Sequence, residues 1–381
     1  MVTIDKIFHA SVVLKDIIRP TPLAKAYGIA EDCALYLKPE CLQKTGSFKL
    51  RGSGYKIAML SDEEKAKGVI ACSAGNHAQG VALAASKCGI SSLICLPDTA
   101  PISKVEATKG YGAQVCLVPG VYDDAYNKAL ELKEEHGYTF VHPFDDEYVI
   151  AGQGTIGLEI MNEMSDVDAV LVPIGGGGLI SGVACAIKSI SPHVKVYGVQ
   201  AAGAPSMYNA IHHGKMEALT SVSTIADGIA VKKPGELTYE MVKNYVDDIA
   251  LVTEDEIAAA ILALIEKQKM IAEGAGAVSV AAAMFHKFPL EGKKVVSLIS
   301  GGNIDVTSLS RVIDRGLMKS GRTTSLLIEL ADKPGQLMEV SRIIAQCGGN
   351  VISVHHERNG ETESINGCYL RLSLETRNYD H

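Results

Sequence analysis

Lys49 has the setting most suited to covalent chemistry. It stands in Lys44-Thr45-Gly46-Ser47-Phe48-Lys49-Leu50-Arg51-Gly52, a loop of small residues that runs into a helical stretch through Tyr55 to Leu60. Backbone N–H dipoles at a helix start disfavour an ammonium ion, which leaves a lysine there more nucleophilic. Taken alone, the segment fits a solvated surface lysine as well. Three more segments each close an apolar run and open a helical one. Ser73-Ala74-Gly75-Asn76-His77 offers backbone N–H groups suited to a carboxylate, or is a plain helix cap by Ser73. Pro173-Ile174-Gly175-Gly176-Gly177-Gly178-Leu179 lets backbone wrap a phosphate without Cβ atoms in the way, or serves close helix–sheet packing. Ser300-Gly301-Gly302-Asn303 brings a hydroxyl to a third strand end, or is a turn.

The elements that must position these segments alternate regularly. Strand-like runs at 69–72, 92–96 and 114–118 are followed by helical stretches at 78–87, 102–109 and 122–135, and further strands fall at 169–174, 195–200 and 294–299. Such alternation predicts parallel sheets covered on both faces. Two sets of these units predict two open parallel-sheet α/β domains within residues 1–320. The smaller, at about 68–145, is inserted in the larger, and the site lies at the carboxyl ends of the strands between them. After Ser320-Gly321 the texture changes to a strand at 323–330, a helix at 335–347 and strands at 350–355 and 367–374. This β-α-β-β order is most of a ferredoxin-like module over 322–381. With the sequence stopping at His381, the expectation is a shortened form or a sheet that a partner subunit completes, since open edges are seldom left uncovered.

Bulk properties narrow the function. A chain of 381 residues with 47% hydrophobic residues and a net charge of −8 is expected to be a globular, water-soluble protein with no polyanion partner, neither nucleic acid nor membrane. Nine cysteines, scattered and without a C-x-x-C pair, predict a reduced, cytoplasmic protein without structural zinc. A dinucleotide oxidoreductase is disfavoured because Gly175 to Gly182 lacks G-x-G-x-x-G and the following strand ends in Gln200 instead of an acidic residue.

A nucleophilic lysine, a carboxylate loop, a phosphate loop and a polar partner for a ring nitrogen together suit pyridoxal 5'-phosphate and an amino acid. The chain resembles the fold-type II, tryptophan synthase β-like, pyridoxal-phosphate family, and within it the threonine dehydratases (threonine ammonia-lyases), over residues 1 to about 318. The resemblance implies that Lys49 forms a Schiff base with the cofactor and moves the substrate Cα proton, and that Phe48 packs on the ring. It implies that Asn76 bonds the phenolic oxygen and that Ser73, Ala74, Gly75, Asn76 and His77 receive the substrate carboxylate, with Ser73 also catalytic. Gly175, Gly176, Gly177, Gly178 and Leu179 would form the phosphate cup, Ser300 would bond the pyridine nitrogen, and Gly228 and Glu273 would lie near the ring. The implied reaction converts L-threonine to 2-oxobutanoate and ammonia, with slower conversion of L-serine to pyruvate, in isoleucine biosynthesis or threonine catabolism. A homodimer or homotetramer is implied as well.

Two departures from relatives matter. Serine racemase-like members carry a second serine where this chain has Ala74, so racemisation is expected to be poor. They also hold a divalent metal through acidic residues after the strand at 195–200, where this chain reads Gln200-Ala201-Ala202-Gly203-Ala204-Pro205-Ser206, so no metal is expected there. Cysteine synthase-like relatives carry a different loop at 73–77, which favours β-elimination over β-replacement. A non-enzymatic amino-acid sensor with a dead catalytic domain is disfavoured by intact Lys49 and Ser300. Residues 322–381 resemble an ACT module, through the strand at 325–330, the loop Asp332-Lys333-Pro334-Gly335-Gln336-Leu337 and the strand entered at Gly349-Asn350-Val351. That implies a branched-chain amino acid as effector of the module in its complete form, with this chain responding weakly or not at all, or a purely dimerising role.

Overall fold

The computed structural model describes residues 2–358 and 366–381. The chain divides into two compact units, Met1–Asp305 and Val306–His381, so the Val306–Lys319 helix groups with the second.

Among its described residues the first unit holds ten strands: β1 (Ala24–Lys25), β2 (Ala34–Pro39), β3 (Val69–Cys72), β4 (Ser92–Pro97), β5 (Gln114–Val118), β6 (Thr139–Phe140), β7 (Ala169–Pro173), β8 (Lys195–Ala201), β9 (Asp248–Val252) and β10 (Lys294–Ile299). They form a six-stranded sheet of order β1-β2-β10-β7-β8-β9, parallel except for β1, and a four-stranded parallel sheet of order β5-β4-β3-β6. Helices lie on both faces of a parallel sheet, which explains why β7 is buried at every position and β8 and β10 at all but their first. The catalytic candidates fall at the carboxyl ends of these strands, where an open α/β sheet leaves its crevice. Ser73 follows β3, Gly175 follows β7 and Ser300 follows β10.

The Lys49–Ala58 helix is fixed from below by a buried ion cluster. Arg51, fully buried, donates to both carboxylate oxygens of buried Glu40 at 2.8 Å and to Glu159 at 2.5 and 2.9 Å. Its Nη1 also reaches the Thr155 hydroxyl at 3.1 Å. Buried Lys38 of β2 completes the cluster with Glu159 at 2.7 Å and Glu163 at 3.0 Å. Glu159 and Glu163 belong to the Glu147–Glu163 helix. That helix crosses the Lys49 helix where two glycines meet, since a Cβ on Gly52 would lie 2.7 Å from the Val149 carbonyl and one on Gly152 would lie 2.4 Å from the Arg51 carbonyl.

The second unit holds β11 (Thr323–Ala331), β12 (Asn350–Glu357) and β13 (Gly367–Glu375) in an antiparallel sheet of order β11-β13-β12. Leu370, Leu372 and Leu374 of β13 pack with Ile344 of the Gln336–Cys347 helix to form its core. The order β-α-β-β is the one the sequence predicts.

Arg51→Ala would leave Glu40 as a buried carboxylate without its ion partner, which typically costs about 3–5 kcal/mol. The expected outcome is a clear fall in the urea midpoint of the first unit, followed by circular dichroism, and an unchanged midpoint would show that the cluster is not stabilising.

Candidate active site

The lysine loop is stitched to the loop after β10. Phe48 N–H donates to the Ser300 carbonyl at 3.0 Å, Gly302 N–H donates to the Gly46 carbonyl at 2.9 Å, and Ser47 bridges Gly301. Lys49 begins its helix and directs Nζ to the Pro143 carbonyl at 2.7 Å, with the Phe48 ring 5.2 Å away. Burial lowers the Lys49 pKa to about 8, against a smaller opposing pull from the Glu273 carboxylate. Desolvation is the main cause of this shift, where the sequence pointed to the backbone dipoles at the helix start.

Pro143 and its neighbour connect the lysine to the glycine loop. Phe144 lies over that loop so closely that a Cβ on Gly176 would come within 2.4 Å of its ring and one on Gly178 within 2.7 Å of its carbonyl. Gly177 takes φ +99° and caps the Gly178–Ile190 helix, whose first-turn N–H groups have no acceptor of their own within the helix. Gly175 and Gly177 are crowded too, by Ile229, Met207 and Thr238. The four glycines therefore serve close packing, and the bare helix start they leave would suit an anion, so the two alternatives the sequence left open are compatible. Thr238 donates to the Gly176 carbonyl at 2.6 Å, and Asp145 accepts from the backbone of Glu236 and Thr238, each at 3.1 Å.

On the other side Asn76 opens the Asn76–Lys87 helix, with Gly75 as its cap. Ser73 is thus not the helix cap, and its hydroxyl accepts from Gly75 N–H at 3.2 Å. Asn76 Nδ2 donates to Glu273 at 2.6 Å, while Asn76 Oδ1 accepts from Asn303 at 2.7 Å. Glu273 is buried, and burial with help from nearby Asp227 raises its pKa to about 7. A Cβ on Gly301 would sit 2.3 Å from Glu273 Oε1 and force that carboxylate to move, whereas one on Gly228 would meet it at an ordinary 3.5 Å. Ser300 is buried and donates to the Ala275 carbonyl at 3.2 Å, so its free lone pairs, or a rotated hydroxyl, remain for a partner.

His77 stands in the 73–77 loop that the sequence assigns to the substrate carboxylate. Its side chain turns into the core, with Nε2 donating to the Val141 carbonyl at 2.8 Å and Nδ1 buried without a partner. Burial, then the charge of Lys49, lowers its pKa to about 3, so the ring is neutral. Only its backbone is available to the 73–77 loop. Ala74 and Leu179 lie where the sequence places them, in that loop and at the start of the glycine-loop helix. The sequence reading passed over the segment His142-Pro143-Phe144-Asp145, which touches both Lys49 and the glycine loop. Its signal was a run of ring and acidic residues directly after a strand.

These residues fit pyridoxal phosphate. An amine of low proton affinity, a helix start stripped of side chains, a half-buried Asn and buried Glu and Ser would supply one partner for each of its polar ends.

Residues 14–301 match the family model described as pyridoxal-phosphate dependent enzyme. The chain belongs to that family. It is 52% identical to L-threonine ammonia-lyase of Thermotoga maritima over 383 aligned residues, covering 100% of this chain and 95% of that one. The processed form of threonine deaminase isoform 2 from Solanum lycopersicum superposes with a TM-score of 0.77 at 40% identity, covering 82% of this chain and 93% of that one. Maize serine racemase gives 0.78 at 36% identity, covering 84% and 98%. As a pyridoxal-phosphate enzyme the protein needs a neutral lysine to capture its cofactor. With the Lys49 pKa at about 8, the neutral fraction grows as pH rises through that value and levels off above it. The rate of cofactor capture by the apoenzyme, followed by visible absorbance, is expected to show this profile. A rise that begins only near the ordinary lysine value would contradict the assignment of Lys49.

Proposed function

We propose that this enzyme converts L-threonine to 2-oxobutanoate and ammonia, and L-serine more slowly to pyruvate and ammonia. The observation that supports the reading most strongly is the convergence of the Lys49 amine, the glycine loop and the Ser300 and Asn76 loops on one crevice, in a chain whose relatives carry the threonine ammonia-lyase name.

The bound cofactor supplies an electron sink on the substrate nitrogen that weakens the Cα–H bond. Lys49 takes the Cα proton, a task suited to an amine whose pKa of about 8 lies near the working pH. Backbone N–H groups of residues 74–77 hold the substrate carboxylate, and Ser73 orients that loop. The Gly178 helix start holds the phosphate end, and Asn76, fixed by Glu273 and Asn303, orients the ring end. Ser300 would offer the cofactor's ring nitrogen a neutral hydroxyl in place of a carboxylate, and the weaker electron sink that results would favour loss of the β-hydroxyl over transamination. Water leaves in that step and is taken up again as ammonia is released, so the net change is threonine to keto acid plus ammonia.

A branched-chain amino-acid effector at the 332–337 loop belongs to the same reading, supported by the Pro334-Gly335 turn that opens the Gln336–Cys347 helix. So does a homodimer or homotetramer. A cytoplasmic location is supported by nine free cysteines and by the absence, among the described residues, of a helix long and apolar enough to cross a membrane.

Keto-acid assay should detect 2-oxobutanoate from L-threonine. Lys49→Ala should retain no more than about a thousandth of that rate, the usual scale for losing a catalytic base. L-Serine lacks one methyl group and should react with kcat/KM about 10–200-fold lower. With Ala74 offering no acid on the opposite face, a chiral assay should find little D-serine. Robust turnover by Lys49→Ala, or no keto acid from threonine, would overturn the proposal.

A further inference from the structure

The second unit carries a cluster of metal-ligating side chains that the reaction does not use. Asp332, His356 and Cys368 each direct one ligand atom into a common space, and these atoms lie within 4.8 Å of one another. They come from three separate elements: the turn after β11, the strand β12 and the strand β13. Their meeting follows from the sheet. Cys368 pairs with Leu330 of β11, His356 pairs with Leu370, and the period of two puts Cys368 and Leu370 on the same face of β13. That face is the one covered by the Gln336–Cys347 helix. Asp332 follows one residue beyond β11 and is tied back through its N–H to the Asn366 carbonyl at 2.7 Å.

The three side chains line a pocket of about 370 Å³, together with Lys333, Gln336 and Arg358. Cys368 is buried, whereas Asp332 and His356 can be reached by solvent. Asp332 is engaged by the Arg358 guanidinium, with Nε at 3.1 Å and Nη2 at 3.3 Å, and His356 Nε2 stands 4.0 Å from it. Arg358 is two-thirds exposed, so its pairing with Asp332 is weak and can be exchanged.

We propose that Asp332, His356 and Cys368 form a binding site for a divalent transition metal of the zinc class. A carboxylate, an imidazole and a thiolate are the donor set such ions select over magnesium or calcium, which prefer oxygen alone. Ligand atoms around tetrahedral zinc are roughly 3.3–3.8 Å apart, given bonds of about 2.0–2.3 Å, so the cluster closes by about 1 Å on binding. Arg358 swings off Asp332, and the Cys368 thiol releases its proton to solvent as the metal–sulfur bond forms. Three protein ligands leave a fourth position open toward the pocket, the arrangement of a site that accepts an outside donor. The metal would then pin the 332–337 loop to β12 and β13. This site is distinct from the loop after β8, where no carboxylate stands between Gln200 and Ser206.

The test is titration of the chelator-treated holoenzyme with Co²⁺, read by sulfur-to-cobalt charge-transfer absorbance, with Zn²⁺ as competitor and proton release measured in weak buffer. Wild type is expected to bind one equivalent with a thiolate signature that Zn²⁺ abolishes. Since loss of a supporting outer group alone costs about 10–100-fold in metal affinity, Cys368→Ser, His356→Gln and Asp332→Asn should each weaken binding at least that much. Cys368→Ser should also remove the charge-transfer band. Cys88→Ser and Cys347→Ser, at exposed cysteines, should change nothing. The proposal is overturned if wild type shows no thiolate band. It is also overturned if the band survives Cys368→Ser, or if the three ligand variants bind as tightly as wild type.

Discussion

Every candidate catalytic group depends on the position of one short loop, residues 45–51, which is held from two directions. Above it, backbone pairing with residues 300–302 fixes the loop to the end of β10. Below it, the Arg51 guanidinium is locked between Glu40 and Glu159 with no exposure to water. Breaking either hold would free Lys49 from the crevice or leave a buried charge unpaired. The same loop sets the site's width, because the Asn303 side chain donates back to the Thr45 carbonyl at 2.7 Å and onward to Asn76.

Burial then sets the proton chemistry. Lys49 is lowered to about 8, Glu273 is raised to about 7 and His77 is lowered to about 3. All three shifts favour the neutral form, as desolvation requires, and two of them bring groups of opposite ordinary character near physiological pH. An amine and a carboxyl poised in this way suit a reaction that moves protons on and off carbon and oxygen in one closed crevice. Asn76 joins the two sides by presenting its amide N–H to Glu273 and its carbonyl to Asn303, which fixes the orientation of its side chain.

Much of this was legible in the sequence where the signal was local. The strands at 69–72, 114–118 and 294–299 are found at those bounds, since parallel strands read as short apolar runs, whether buried throughout as at 69–72 or at an exposed sheet edge as at 114–118. The loops that end β3, β7 and β10 were legible because small residues must follow a strand where backbone binds a ligand. Strand β2 was not, because Ala34–Pro39 contains Lys38 and runs into Glu40, charges that read as surface and are in fact buried together against Glu159, Glu163 and Arg51. The pairs that Lys38 and Arg51 make with the Glu147–Glu163 helix join residues more than a hundred positions apart, and no local pattern reveals them. The direction of the His77 side chain was not legible either, because its place in the 73–77 loop leaves the ring's orientation open, and the first turn of its helix aims the ring at Val141. The Asp332, His356 and Cys368 cluster was likewise invisible, because antiparallel pairing across β11, β13 and β12 is what gathers it.

The most direct measurement is borohydride reduction of the holoenzyme followed by peptide mapping by mass spectrometry, which fixes the cofactor to whichever amine holds it. The account requires the added mass on Lys49, within the peptide that contains Phe48, and its disappearance when excess L-threonine is present before reduction. Stable attachment to any other lysine, or no covalent attachment in an enzyme that turns threonine into 2-oxobutanoate, would contradict it.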